Sequence, residues 1–199
     1  MSPRPDVSEE RKDQILDAAT DVFAEKGLSD ARMDDIVKES GLSKGTLYWY
    51  FKSKDEIILS IFERMFNREF QALETLVGAG GSASENLLSY TEYAIEDIRG
   101  LLRLRPLVYE FLSWAFRRKI VRDAFKIYIN KYMDAVVPII QQGIDSGEFR
   151  AIDPHSAAIT LGAIFEGTIL LWVYDKTKVD PERHNRSGIK LLLEGLQLR

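Results

Sequence analysis

The sequence predicts an all-α fold divided into two domains. Apolar residues recur every three or four positions along most of the 199-residue chain, which is the period of an amphipathic helix. No stretch alternates polar and apolar residues as a half-buried strand does. Residues such as Gly27, Gly41 and Pro154 interrupt the helical periods. We expect a small N-terminal helical domain at residues 1–54 and a larger helical bundle at residues 55–199.

An amphipathic helix is predicted between Ser8 and Gly27. Residues 1–7 precede it and include Pro3 and Pro5, so we expect them to form a disordered arm. Ser8 is a good N-cap, and Gly27 is a good C-terminal stop. The helix carries one apolar stripe made of Ile15, Ala18, Ala19, Val22 and Phe23.

A helix, a sharp turn and a second short helix are predicted from Met33 to Phe51. Gly41 can take the left-handed conformation that ends a helix, and Ser43 can cap the helix that follows. Leu47 and Phe51 lie four positions apart and can point into a shared core. Two helices joined by a short glycine-containing turn form a helix-turn-helix, whose second helix fits the major groove of DNA.

The outward surface of the second helix has the chemistry of a DNA contact. Three lysines and no acidic residue lie between Gly41 and Lys54, and Thr46 and Tyr48 offer hydroxyl groups to phosphate oxygens. Lys44 can reach a guanine edge. The four consecutive aromatic residues at positions 48–51 cannot all face one core, which argues against a plain hydrophobic cluster.

The charge of the whole chain does not by itself favour nucleic-acid binding. The formal net charge is −4 and the pI is about 5.4. Screening limits the reach of a charge to about 8 to 10 Å at physiological salt. The local patch of Lys44, Lys52 and Lys54 can therefore bind phosphates while acidic residues elsewhere stay out of range.

Few features of the sequence favour an enzyme. The chain has two histidines, no cysteine and no pair of residues with the spacing of metal ligands. The glycine-rich residues 78–81 have neither a preceding strand nor a following lysine, so they do not form a phosphate loop. We expect no catalytic residues, no metal and no cofactor. The start of the chain has no apolar leader segment, which predicts a cytoplasmic protein.

The first 60 residues or so resemble the DNA-binding domain of the TetR family of bacterial transcriptional regulators. The resemblance rests on residues 15–19, 23–27, 33–37 and above all 41–54, which read GLSKGTLYWYFKSK. It implies that Lys44, Gly45, Thr46, Trp49 and Tyr50 read the groove and that Thr46, Tyr48, Tyr50 and Lys54 contact phosphates. Arg32 stands where the family often has a capping Thr or Ser, so it is a further candidate for a backbone contact. The full predicted DNA surface comprises Arg32, Ser43, Lys44, Gly45, Thr46, Tyr48, Trp49, Tyr50, Lys52 and Lys54.

Aromatic residues concentrate in the middle of the chain, several of them with a hydroxyl or an indole N–H. Such residues suit a small-ligand pocket between helices, and they equally suit a plain aromatic core. The family resemblance implies a ligand-responsive domain and favours the pocket. The predicted pocket residues are Tyr90, Tyr93, Tyr109, Trp114, Phe125, Tyr128, Tyr132, Phe165 and Glu166. Glu110 and Glu166 are also candidates for salt bridges with nearby arginines.

Two C-terminal helices are predicted after Asp153 and Ser187. The first is apolar nearly all round, but Glu166 lies in its middle and two glycines weaken it, so we expect a buried helix and not a membrane span. Its small residues suit close approach to another helix. We predict a four-helix interface between two subunits that uses Ala158, Gly162, Ala163, Gly167, Ile189, Leu192, Leu193 and Leu196.

These observations and the resemblance together predict a ligand-responsive transcriptional regulator. The hypothesis is a repressor that binds a palindromic operator in double-stranded DNA as a homodimer and is released by a small hydrophobic or cationic effector. No membrane partner is expected. The alternative is a helical adaptor of the same fold that does not bind specific DNA, and activation in place of repression also stays open.

Overall fold

A computed structural model describes residues 7–78, 80–103 and 105–197, and these residues form an all-α fold. The described residues contain no strand, only a single antiparallel bridge between Phe149 and Gln197. The predicted fold class is confirmed. The helices are α1 (Val7–Asp30), α2 (Met33–Ser40), α3 (Lys44–Tyr50), α4 (Lys54–Gly78), α5 (Ala83–Arg103), α6 (Arg105–Ala115), α7 (Lys119–Asp145), α8 (Pro154–Tyr174) and α9 (Pro181–Leu196).

Helix α1 begins earlier and ends later than the sequence suggests. It starts at Val7, so Ser8 lies inside the helix and is not its N-cap; the rest of the predicted arm, residues 1–6, lies outside the described residues. Gly27 has φ 81° and ψ 162°, a conformation that only glycine adopts readily, and it interrupts the helix. A single helical turn, Leu28 to Asp30, follows it.

The chain forms two compact units. The first unit contains the residues up to Phe66 together with Arg103–Phe125, and the second contains Asn67–Leu102 and the residues from Lys126 onward. The helix-turn-helix therefore shares a unit with the first half of α4, with α6 and with the start of α7. The domain boundary predicted at residues 54 and 55 stays a prediction.

The core of the first unit surrounds the helix-turn-helix. Phe23 and Leu28 of α1, Ile36 of α2 and Leu47 of α3 are at most 1% exposed. Rings from α4 and α6 continue this core, because Phe62 stacks on Phe111 with ring centroids 3.7 Å apart and planes inclined by 10°. The short helices α2 and α3 are thus fixed by packing on the longer helices around them.

Close contacts involving glycine bring the helices of the second unit together. A Cβ placed on Gly143 of α7 would lie 2.3 Å from the ring of Phe149, and one on Gly188 of α9 would lie 2.8 Å from Ile164 of α8. Polar contacts at the surface add to this packing. Glu148 accepts hydrogen bonds from the first amides of α5, and Arg186 of α9 binds the Glu92 carboxylate of α5 at 2.6 Å.

Candidate nucleic-acid interface

The turn before α3 is built as the sequence predicts. Gly41 has φ 66°, the left-handed conformation that ends α2. The Ser43 hydroxyl accepts a hydrogen bond from the Thr46 amide at 3.1 Å and lies 2.8 Å from the Thr46 hydroxyl. Leu47 is fully buried and anchors the inner side of the helix. The Ser43 cap therefore fixes where α3 begins, and Leu47 fixes which side of it faces outward.

The outward side of α3 presents aromatic rings to solvent. Trp49 is 67% exposed and Tyr48 is 37% exposed, although both are large side chains that would normally be buried. The Trp49 ring meets the Tyr50 ring edge to face at 4.6 Å, and Tyr50 in turn packs on the core of the unit. Gly45 is exposed and leaves the helix surface open to close approach by a groove.

Each of the three lysines of the predicted DNA surface is held by the protein itself. The Lys44 ammonium pairs with Asp34 at 2.7 Å, and this hydrogen bond raises its pKa. Lys52 donates to the Tyr48 carbonyl at the end of α3 at 2.7 Å. Such contacts fix the position of the charges but leave Lys44 and Lys52 exposed and able to meet phosphates.

Lys54 has a structural contact that the sequence did not predict. Its ammonium donates to the carbonyls of Ser29 and Ala31, at 2.9 and 2.8 Å, at the end of α1. A cation at a helix C-terminus satisfies carbonyls that have no partner within the helix. Lys54 therefore fastens the first residue of α4 to the segment between α1 and α2, and its predicted phosphate contact stays a prediction.

Arg32 lies exposed at the start of α2. Its backbone amide donates to the Asp35 carboxylate at 2.9 Å, so Asp35 supplies a capping contact at the start of α2. The hydrogen bond from Lys26, and then that from Arg32, lower the pKa of Asp35. The exposed position of Arg32 leaves its guanidinium within reach of a DNA phosphate, and this contact stays a prediction.

The predicted pocket residues are divided between the two units. Tyr109, Trp114 and Phe125 belong to the first unit, where Trp114 and Phe125 pack against its core. The other six belong to the second unit: Tyr90, Tyr93, Tyr128, Tyr132, Phe165 and Glu166. Glu110 belongs to the first unit and accepts hydrogen bonds from backbone amides of α1. The predicted pocket stays a prediction.

An observed contact shows the structural role of one of these residues. The Tyr132 hydroxyl donates to the Ala158 carbonyl of α8 at 2.8 Å, so Tyr132 joins α7 to α8. A cavity of about 10 Å³ lies in the first unit between Phe23, Ile61 and Leu107, with room for about one water molecule. No group of three or more His, Asp and Glu that would hold a metal occurs in the described part of the chain.

Four residues of the predicted dimer surface lie in the interior of their own subunit, and the surface as a whole stays a prediction. Ala158, Ile189, Leu193 and Leu196 are at most 5% exposed, because these residues pack inside their own subunit. Gly162 lies against the Tyr132 ring, so that a Cβ at this position would be 3.4 Å from the Tyr132 hydroxyl, and it serves packing within the chain. Ala163 is exposed, Gly167 opens onto free space and Leu192 is half-buried.

A different set of residues forms the exposed apolar face of α8. Its members are Ile159, Ala163, Leu170, Leu171 and Tyr174, with Leu191 exposed on α9. Glu166 lies among them; the residue is reached by solvent, yet the apolar surroundings desolvate its carboxylate and raise its pKa. By length and composition, α8 is the one described helix that would pass as a membrane span, with a mean hydropathy of 1.7 and 17% of the segment buried.

Comparison with known proteins identifies the class to which this architecture belongs. Residues 15–61 match the family of bacterial regulatory proteins described as tetR family, and residues 60–197 match the C-terminal region of QacR-like proteins. The chain belongs to the TetR family of transcriptional regulators. It is a ligand-responsive, DNA-binding regulator, and members of this family are soluble proteins and not enzymes.

Individual relatives support the same placement. The fatty acid metabolism regulator protein of Bacillus subtilis is 28% identical over 187 residues, which cover 92% of this chain and 94% of the relative. The regulator YfiR of Bacillus subtilis is 32% identical over 159 residues, with 77% and 76% covered. Among solved structures, the chain is similar to Bacillus subtilis FadR crystallised in complex with stearoyl-CoA. The sequences are 26% identical, the alignment covers 92% of this chain and 98% of FadR, and the TM-score is 0.79.

Proposed function

We propose that the protein is a cytoplasmic repressor that binds a palindromic operator as a homodimer and leaves the operator when an effector binds. The observation that carries this proposal is the outward side of α3. Trp49 is 67% exposed on a helix that Ser43 caps, and its edge-to-face contact with Tyr50 leaves most of the ring in solvent, so core packing does not explain its position. A groove-binding role does explain it, because apolar contacts and hydrogen bonds to base edges read the sequence.

The exposed apolar face of α8 supports the homodimer. A soluble chain that presents Ile159, Leu170, Leu171 and Tyr174 to solvent along one helix side has an unpartnered surface that favours a second protein. We propose that a second copy of this chain covers it, with Ala163 and Gly167 allowing close helix approach. A two-fold dimer places two recognition helices on half-sites about 34 to 36 Å apart, which accounts for a palindromic operator.

The effector is proposed to be a largely hydrophobic or cationic molecule held in the second unit. Tyr90, Tyr93, Tyr128 and Phe165 of that unit supply aromatic surface, whose ring faces suit an apolar molecule or a cation. The stearoyl-CoA complex of Bacillus subtilis FadR supports the hydrophobic class. Stearoyl-CoA and tetraphenylphosphonium are therefore suitable first probes.

A selection experiment tests the DNA proposal directly. Purified protein is used to enrich duplexes from a random pool, and the enriched duplex is titrated by fluorescence anisotropy at two salt concentrations with a scrambled competitor. We expect an enriched palindrome that binds an even number of chains and survives the competitor. A pool that never enriches, or equal affinity for scrambled DNA, would contradict sequence-specific binding.

The effector proposal has a separate test. Each probe is added first to the protein alone, where binding raises the melting temperature, and then to the complex with the enriched duplex. We expect a binding probe to weaken operator affinity by about 5- to 150-fold. A probe that stabilises the protein but leaves operator affinity unchanged would contradict release by that class of effector.

A further inference from the structure

The last turn of α1, which follows the break at Gly27, is held by a carboxylate that comes from far along the chain. Glu110 of α6 accepts hydrogen bonds from the Leu28 amide at 2.6 Å, the Ser29 amide at 2.9 Å and the Ser29 hydroxyl at 2.7 Å. These amides follow the break at Gly27, so the α1 helix itself provides no carbonyl partner for them. Three hydrogen bonds to one ionised group make this a strong local contact.

The same segment is held from its other side by Lys54. The Lys54 ammonium binds the carbonyls of Ser29 and Ala31, while Glu110 binds the amides of Leu28 and Ser29. The backbone amides of this turn are therefore held by Glu110 of α6, and its backbone carbonyls are held by Lys54 of α4. Because α2 begins at Met33, two residues after Ala31, the orientation of this turn sets the direction in which the helix-turn-helix leaves α1.

Two further contacts tie α6 and the turn after it into the same unit. Arg118, directly before α7, pairs with the Asp55 carboxylate in the first turn of α4, and its guanidinium lies 4.7 Å from the centre of the Trp114 ring. The Phe111 ring, one residue after Glu110, stacks on Phe62. The backbone at Glu110 is thus rigidly placed, which a side chain needs if it is to fix another segment.

We propose that Glu110 is a positioning residue for DNA binding, which fixes the Leu28–Ala31 turn and thereby the placement of α2 and α3. This inference rests on the proposed function, since it concerns the affinity of the same recognition helix. Gly27 is part of the same arrangement. A Cβ at this position would lie 3.4 Å from the Glu110 carboxylate, and residues other than glycine rarely adopt its φ. Glu110 touches no DNA; it acts through the turn it holds.

The direction in which Glu110→Gln changes DNA affinity distinguishes a positioning role from a purely electrostatic one. Glu110→Gln removes a negative charge from a DNA-binding unit, so charge alone predicts equal or tighter binding. The positioning role predicts the opposite, because the amide group leaves one of the amide or hydroxyl donors without an acceptor. Glu63→Gln is the matched control: Glu63 is an exposed glutamate of α4 in the same unit, and its substitution changes the net charge equally.

The experiment measures binding to the duplex enriched by the wild-type protein, together with hydrogen exchange of individual amides. For Glu110→Gln we expect about tenfold weaker binding and faster exchange at Leu28 and Ser29. For Glu63→Gln we expect wild-type or slightly tighter binding and no change in exchange. Wild-type affinity of Glu110→Gln would overturn the proposal, whereas failure of the wild-type protein to enrich any duplex would instead overturn the proposed function.

A milder variant covers the case in which Glu110→Gln does not fold. Ser29→Ala removes only the hydroxyl that donates to Glu110 and leaves the backbone contacts of both Glu110 and Lys54 in place. We expect about two- to threefold weaker binding at an unchanged melting temperature, as suits the loss of one hydrogen bond of three. Unchanged binding of a folded Ser29→Ala protein would then overturn the proposal.

Discussion

At the scale of single residues, α3 separates side chains that hold the fold from side chains that face outward. Leu47 is fully buried, whereas Trp49, two positions later, is 67% exposed. Leu47→Ala should lower the free energy of unfolding by about 2–5 kcal/mol, the usual effect of truncating a buried leucine. Trp49→Ala should leave stability nearly unchanged and weaken operator binding about tenfold, because it removes base-edge contact only.

Thermal melts and anisotropy titrations of the two variants check this prediction. The result that would contradict it is a Trp49→Ala protein that melts well below wild type, since the ring would then be part of the packing. At this scale the sequence predicted the local chemistry well: the Ser43 cap, the buried Leu47 and the positive φ of Gly41 all follow from neighbours within four positions. It did not predict the partners of Lys54 or Glu110, which lie 23 to 82 positions away.

At the scale of helices, the contact between α8 and α9 depends on a glycine. Gly188→Ala would place a methyl group 2.8 Å from Ile164, so we expect a loss of about 1–3 kcal/mol in the free energy of unfolding. Gly195→Ala on the same helix meets nothing within 4 Å, and we expect a gain of about 0.5–1 kcal/mol from higher helix propensity. Urea unfolding of both variants is the measurement. Equal effects of the two substitutions would show that helix propensity, and not the Ile164 contact, governs both positions.

Helix α8 also predicts how stability depends on pH. Desolvation raises the pKa of Glu166 in the folded protein, so the folded state binds this proton more tightly than the unfolded chain does. The tighter proton binding of Glu166 stabilises the folded protein fully below about pH 4.3, the ordinary pKa of a glutamate. This stabilisation is lost as the pH rises through the raised pKa of the folded state.

Glu166→Gln should therefore be more stable than wild type at neutral pH, by about 2 to 4 °C in melting temperature because the residue is partly open to solvent. Below about pH 4 the two proteins should melt alike. The measurement is the melting temperature of wild type and Glu166→Gln across a pH series. Glu96→Gln, which changes an exposed glutamate, is the control. A constant difference at every pH would mean that the charge of Glu166 is not the cause.

The helical period of the last two helices explains why several residues of the predicted dimer surface lie inside their own subunit. The stripe Ile189, Leu193 and Leu196 was correctly recognised as a buried face, but a periodic stripe does not say whether its own subunit or a second one covers it. The structure places these residues inside the subunit and leaves Leu191, on the other side of α9, 68% exposed. Only three-dimensional packing distinguishes the two cases, whereas the existence and order of the helices followed from periodicity and glycine or proline breaks.

At the scale of the whole molecule, a dimer built on α8 should be sensitive to charge on that face. Leu170 and Leu88 are similarly exposed, at 38% and 43%, but only Leu170 lies on the exposed face of α8. Leu170→Arg should give a protein of half the wild-type mass in sedimentation at micromolar concentration and should weaken operator binding, because two linked half-sites bind more tightly than one. Leu88→Arg should keep the wild-type mass and affinity. A dimeric Leu170→Arg protein would place the interface elsewhere.

The pairing of Lys44 with Asp34 bears on how such a protein finds one site in a chromosome. Random DNA offers phosphates everywhere, and a free lysine binds all of them alike. Because Asp34 lies 2.7 Å from the Lys44 ammonium, a phosphate must first compete with this carboxylate. We expect this competition to weaken contacts with random DNA. Only a sequence that also contacts the aromatic side of α3 would compensate for the loss of the Lys44–Asp34 pair. If Lys44 contacts DNA as proposed, we expect the acid next to α3 to shorten each pause during the search, so that the regulator spends less time on irrelevant DNA.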